Sequence, residues 1–205
     1  KGLAGVPGAQ LPPDVRAPLE RASLEVEQSF GVNASRPETH VEHSAFELAR
    51  GKLTEAEAAL KIALRLQPCL AEAHLNLAEV ARQRGDEATA EREIRAALAC
   101  NPQYAAAHHA LGLWQVRAKQ TKIAIVSLKK AVELVPADPR FSYVLAVALA
   151  GVGERAEAIR VLEATLKNRP NDANSLQALA GYLREAGQNE RAAEVRRMLD
   201  NLLRE

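Results

Sequence analysis

The stretch AEAHLNLAEVARQRGDEATAEREIRAALACNP, from Ala71 to Pro102, contains the pattern that decides the fold. Its first half pairs a leucine with a small residue, Leu77-Ala78, and Gly85 follows near the middle. Its second half has apolar residues three and four positions apart: Ala90, Ile94 and Ala97. This spacing predicts one face of an α-helix, the glycine predicts a left-handed helix end, and Pro102 predicts the end of a second helix. The stretch therefore predicts a helix, a tight turn and a second helix.

The same pattern recurs along the chain with a period of 34 residues. Three sets of residues follow this period: prolines 68, 102, 136 and 170, alanines 56, 90, 124, 158 and 192, and glycines 51, 85, 153 and 187, with Lys119 in the missing glycine position. A fixed period of this size indicates a repeat architecture. We therefore predict repeats at 37–70, 71–104, 105–138, 139–172 and 173–205.

The repeat pattern resembles that of the tetratricopeptide repeat (TPR) from residue 37 to about 203. The resemblance implies an all-α fold, a right-handed α-solenoid of helix–turn–helix units, with a concave groove lined by the first helix of each unit. Each unit leaves an apolar face open, so stacking on neighbours stabilises the array. We interpret residues 1–13 as a linker and residues 14–36 as an N-terminal capping helix and connector.

Composition bears on the classes of partner. Lysine and arginine total 27 against 26 aspartates and glutamates, and aromatic residues make up 3% of the chain. This balance disfavours binding to nucleic acid. No apolar run is long enough to predict membrane insertion. The chain starts at Lys1 rather than methionine, so we expect it to be part of a longer protein.

A second, weaker resemblance concerns residues 3–28, LAGVPGAQLPPDVRAPLERASLEVEQ, together with the following RPETH and the repeats. These segments look like the C-terminal region of certain bacterial multihaem cytochrome c-type proteins. That resemblance implies a periplasmic parent protein, with a cytoplasmic location as the alternative. The chain itself has no CxxCH motif, so we predict no covalent haem and no other cofactor.

Histidine and cysteine are the residues here that most often signal chemistry. His40, His74 and His108 share the fourth position of their repeats, which predicts packing roles with local hydrogen-bond partners. His40, His43 and Glu47 lie on one helical face, so either a His43–Glu47 contact or, less favoured, a metal site is expected there. Cys69 and Cys100 lie outside any CxxC motif. We predict two free, buried or half-buried thiols rather than a disulfide.

The groove positions of the first helices supply the candidate site for a protein or peptide partner, or for another part of the parent chain. Units three and four combine into an apolar surface with a basic rim, which favours an apolar helix or an extended peptide. The candidate groove residues are Asn76, Glu79, Arg82, His109, Leu113, Val116, Arg117, Arg140, Tyr143 and Val147. Some TPRs bind a C-terminal carboxylate through lysines and asparagines at set groove positions, a set that this sequence lacks.

No arrangement of acid, base and nucleophile is visible, so we predict no enzymatic activity and no catalytic or metal residues. The sequence predicts a non-enzymatic protein–protein interaction scaffold. Two alternatives stay open: an accessory domain of a periplasmic multihaem cytochrome, and the recruiting arm of another enzyme.

Overall fold

The computed structural model describes residues 35–203. This part of the chain is all-α, with thirteen- or fourteen-residue helices and no strands. The helices are α1 (Pro37–Ala49), α2 (Leu53–Leu66), α3 (Ala71–Gln83), α4 (Glu87–Cys100), α5 (Ala105–Arg117), α6 (Thr121–Leu134), α7 (Pro139–Gly151), α8 (Arg155–Asn168), α9 (Ala173–Glu185) and α10 (Asn189–Leu202). The capping helix expected within residues 14–36 lies almost wholly outside the described residues.

The turns inside the helix pairs confirm the prediction made from the glycines. Gly51, Gly85, Gly153 and Gly187 all have positive φ angles, between 74° and 88°. Lys119 takes the equivalent place with φ 60°, a region that costs an L-residue about 1 kcal/mol. The turn geometry of the repeat is therefore kept even where the sequence does not supply glycine.

Several helices begin with an aspartate whose side chain caps the first turn. Asp86 accepts a hydrogen bond from the Thr89 amide at 3.0 Å, and Asp172 accepts one from the Ser175 amide at 2.8 Å. These carboxylates satisfy amide donors that the first turn of a helix leaves unpaired. None of the helices in residues 35–203 combines the length and apolar character needed to cross a lipid bilayer.

The chain divides into two compact units, Lys1–Pro102 and Gln103–Glu205. In the described part of the first unit, α1 pairs with α2, and α3 pairs with α4. Its core surrounds Leu60, which is fully buried with Ala56 and Ala63. The apolar positions that recur three and four residues apart along α2 thus face inward, as the periodicity predicts.

The first unit is cross-linked by a disulfide between Cys69 and Cys100, whose Cα atoms lie 5.2 Å apart. The prediction of two free thiols was therefore wrong. Cys69 is exposed in the turn between α2 and α3, and Cys100 is the last residue of α4. The bond joins the turn after the first helix pair to the end of the second pair, a contact between positions 31 residues apart.

In the second unit, three helix pairs stack in order, α5–α6, α7–α8 and α9–α10. The close approach within the first pair depends on Gly112, because a Cβ atom added there would lie 2.5 Å from Cγ of Leu128. Leu128 and Leu162 are fully buried at equivalent positions of α6 and α8. A small residue on the first helix and a large apolar residue on the second therefore fit each other.

The polar residues on α1 have local partners. Glu47 is buried, and its carboxylate lies 3.8 Å from Nε2 of His43, 3.3 Å from Nη1 of Arg50 and 3.5 Å from Nζ of Lys52. Among residues 35–203, no group of three histidine, cysteine or acidic side chains is arranged to hold a metal ion. The contact with His43 agrees with the polar interpretation of this face.

His74 follows the packing role predicted for the fourth position. Its Nδ1 lies 2.8 Å from a carboxylate oxygen of Glu93, and its Nε2 lies 3.2 Å from the carbonyl oxygen of Pro68. Both ring nitrogens of His74 therefore lie within hydrogen-bond distance of an oxygen. His74 therefore ties α3 to α4 and to the turn that carries Cys69.

Candidate functional site

The three candidate residues of the first unit, Asn76, Glu79 and Arg82, lie on α3. Arg82 donates two hydrogen bonds to the Glu79 carboxylate, from Nε at 2.7 Å and from Nη2 at 2.5 Å. These bonds raise the pKa of Arg82. Nδ2 of Asn76 lies 3.4 Å from Oγ of Ser44 on α1. All three polar groups thus already have partners inside the first unit.

The other seven candidates lie in the second unit, on two helices that occupy equivalent places in consecutive helix pairs. His109, Leu113, Val116 and Arg117 are on α5, and Arg140, Tyr143 and Val147 are on α7. Val116 is 37% exposed and Val147 is 44% exposed, while Leu113 and Tyr143 are half-buried. We call Leu113, Val116, Tyr143 and Val147 the apolar strip.

A ring contact joins the two helices at one end of this surface. The imidazole of His109 lies against the ring of Phe141, with 4.7 Å between centroids and 32° between planes. Burial, and to a lesser extent the positive charge of Arg140, lower the pKa of His109 below its ordinary value of 6.5. The imidazole is therefore neutral at neutral pH. Its Nε2 is buried and has no hydrogen-bond partner among the described residues.

Arg140 is held in place by the residue that caps its own helix. Asp138 accepts hydrogen bonds from the Arg140 amide at 2.9 Å and from its guanidinium at 3.1 Å and 2.7 Å. The guanidinium lowers the pKa of Asp138. Arg140 also lies 5.9 Å from the Phe141 ring centroid, within range of a cation–π contact. Its charge is therefore largely matched within the protein before any partner arrives.

Sequence reasoning missed two residues that shape this surface, Phe141 and Asp138. Phe141 supplies the ring against which His109 packs, and it is buried at 7% exposure. Asp138 stands directly before Pro139, an order typical of a helix start, so its capping role was readable from the sequence. The contact between Phe141 and His109 joins different repeats and had no local signal.

A family model described as a tetratricopeptide repeat matches residues 72–205, more than half of the chain. This chain belongs to the tetratricopeptide repeat family. The matched family model describes a structural repeat and not a catalytic domain.

One curated relative and several solved structures share the TPR architecture. The mouse (Mus musculus) interferon-induced protein with tetratricopeptide repeats 3 is 31% identical over 87 residues, which is 42% of this chain and 22% of the mouse protein. The chain thus spans only a small part of that relative.

Three solved structures have the same fold at low sequence identity. Pseudomonas aeruginosa pilF has a TM-score of 0.75 at 22% identity, with 83% of this chain and 78% of that chain covered. MamA from Desulfovibrio magneticus RS-1 has a TM-score of 0.68 at 24% identity, with 82% and 95% covered. YrrB, described as a TPR protein with an unusual peptide-binding site, has a TM-score of 0.63 at 20% identity, with 86% and 91% covered.

Proposed function

We propose that this TPR protein is a non-enzymatic interaction scaffold and that the apolar strip of its second unit binds a peptide, a helix or a neighbouring domain. The observation that carries the proposal is the exposure of Val116 and Val147, at 37% and 44%, beside half-buried Leu113 and Tyr143. Burying these side chains under a partner removes apolar surface from water, at about 25 cal/mol per Å². YrrB, with its peptide-binding site, supports this role for the fold.

The charges around the proposed site bear on its selectivity. Arg140 is paired with Asp138, so an acidic partner must compete with an existing carboxylate at this arginine. Exposed ion pairs of this kind contribute about 0–1 kcal/mol. We therefore expect affinity to come mainly from the apolar strip and to depend weakly on salt.

The test replaces Val116 and Val147 together with glutamate. Peptides are first selected on the wild-type protein from a random phage-displayed library, and their affinities are then measured by fluorescence anisotropy. The double variant should bind at least about tenfold more weakly, a loss of roughly 1.4 kcal/mol.

The matched control is Ile123→Glu with Val126→Glu on α6, because these two side chains are 55% and 70% exposed and lie outside the apolar strip. This control should leave peptide affinity unchanged. Circular dichroism should show both double variants folded. Equal affinities for wild type and the Val116–Val147 variant would rule out the apolar strip as the binding surface.

For the location, we infer a periplasmic or otherwise oxidising compartment, and the Cys69–Cys100 disulfide supports it. Disulfides persist in such compartments and are reduced in the cytosol. Fractionating cells that produce the parent protein, with thiols alkylated at lysis, tests the inference; a reduced pair in the cytosolic fraction contradicts it. The accessory role in a multihaem cytochrome and the recruiting arm of an enzyme stay predictions, which the parent sequence decides.

A further inference from the structure

The last helix pair contains a cavity of about 490 Å³ between α9 and α10. Its polar lining consists of Gln177 and Arg184 from α9 and of Asn189 and Arg196 from α10. The remaining lining residues are alanines and Gly181, and none is acidic. Pockets that hold ligand groups in proteins typically have volumes of about 300–1,000 Å³.

The cavity exists because large apolar residues of the repeat are replaced in this pair. The position filled by the buried leucines 60, 128 and 162 is taken by Arg196, whose side chain is 66% exposed. The position filled by buried Ile125 and Ile159 is taken by Ala193. In the α5–α6 pair, Leu128 occupies the space beside Gly112, and no such side chain fills the space beside Ala180.

Both arginines of the cavity retain capacity for an anionic ligand. The Arg184 guanidinium makes no hydrogen bond or ion pair with any residue that the structure describes. Arg196 has one such partner, Asp200, whose carboxylate lies 3.1 Å from Nε and leaves the remaining guanidinium donors unused. A guanidinium next to an apolar wall gains more from a carboxylate than from a neutral group, because the charged hydrogen bond is about twice as strong.

We propose that this cavity binds an acidic peptide segment, with one aspartate or glutamate carboxylate held between Arg184 and Arg196. The amides of Gln177 and Asn189 can hydrogen-bond the peptide backbone, and the alanine and glycine wall accommodates the stem of the acidic side chain. No residue of the apolar strip lines this cavity, so the proposal stands independently of the proposed function.

The binding test uses a fluorescein-labelled hexaglutamate peptide, blocked at both ends, with hexaglutamine of the same design as reference. Wild-type protein should bind hexaglutamate at least tenfold more tightly than hexaglutamine, and Arg184→Gln and Arg196→Leu should each remove most of that difference. The control is Arg197→Gln, which removes the same charge from a neighbouring residue outside the cavity lining. It should stay within twofold of wild type.

Folding of the variants is measured separately. Arg196→Leu restores the apolar residue of the repeat and should raise the melting temperature, while Arg184→Gln should leave it nearly unchanged.

Equal binding of the two peptides overturns the proposal. So does a loss in Arg197→Gln as large as in Arg184→Gln, because binding then follows net charge. Equally tight binding of hexaglutamine with a free C-terminal carboxylate overturns the assignment to an acidic side chain. A further outcome is that the wild-type protein does not bind hexaglutamate but self-associates, and that the cavity variants do not self-associate. This outcome assigns the cavity to an interface with a second copy of the chain.

Discussion

Removing the Cys69–Cys100 disulfide should cost a large part of the stability of the first unit. The bond closes a loop between residues 31 positions apart. In the chain-entropy model, such a loop restricts the unfolded chain by about 3.7 kcal/mol at 25 °C. Reduction, or Cys69→Ser with Cys100→Ser, should therefore lower the free energy of unfolding of this unit by about that amount.

Part of the local structure should survive the loss of the bond. His74 still contacts the Pro68 carbonyl at 3.2 Å and the Glu93 carboxylate at 2.8 Å, so the turn keeps a non-covalent link to α3 and α4. We therefore expect the reduced protein to remain folded and to unfold at a lower concentration of urea. With a urea dependence of about 1.5 kcal/mol per M, the midpoint should fall by about 2.5 M.

The assay is urea unfolding followed by far-ultraviolet circular dichroism, for oxidised and reduced wild type and for the double serine variant. Hydrogen exchange resolved by peptide assigns the loss to a region, and faster exchange should be confined to residues before about 102. The serine variant is the control, because reductant should not change its midpoint. A midpoint that does not differ between oxidised and reduced wild type refutes the reasoning, as do two alkylatable thiols in the unreduced, denatured protein.

Two other substitutions test local features of the second unit. Lys119→Gly should raise stability by about 0.5–1 kcal/mol in urea unfolding, because φ at this residue is 60°, whereas Ala118→Gly, at φ −73°, should lower it. The pKa of His109 is lowered below 6.5 in the folded state, so the unfolded chain binds more protons just below that pH. Wild type should therefore lose stability as the pH falls from neutral to about 5.5, and His109→Gln should lose less; equal losses contradict the assignment.

The repeat fold could be predicted from the sequence because its determinants recur at a fixed spacing. The four glycines and Lys119 all adopt the left-handed turn that the period assigns to them. The column that contains Leu60, Leu128 and Leu162 is fully buried in the structure. Each of these features depends on a neighbour at a constant distance along the chain, so one repeat predicts the next.

The disulfide and the site details could not be predicted in this way. Cys69 and Cys100 lie at different positions within adjacent repeats, so the period does not relate them. Their 5.2 Å Cα separation depends on how the turn after α2 lies against the end of α4. The same holds for the ring contact between His109 and Phe141, which joins the first helices of two repeats.

The variable positions of the repeat contain most of what distinguishes this protein, because the fold places no demand on them. Val116 and Val147 remain exposed although both are apolar, and nothing in the described core requires them. Arg196 shows the opposite case, since it occupies a position that the fold normally fills with a buried apolar residue. The cavity left beside it costs packing contacts in the last helix pair. Arg196→Leu therefore tests whether Arg196 is only a packing defect or also binds a ligand. A variant that is more stable and no longer binds hexaglutamate shows that Arg196 lowers stability and contributes to binding.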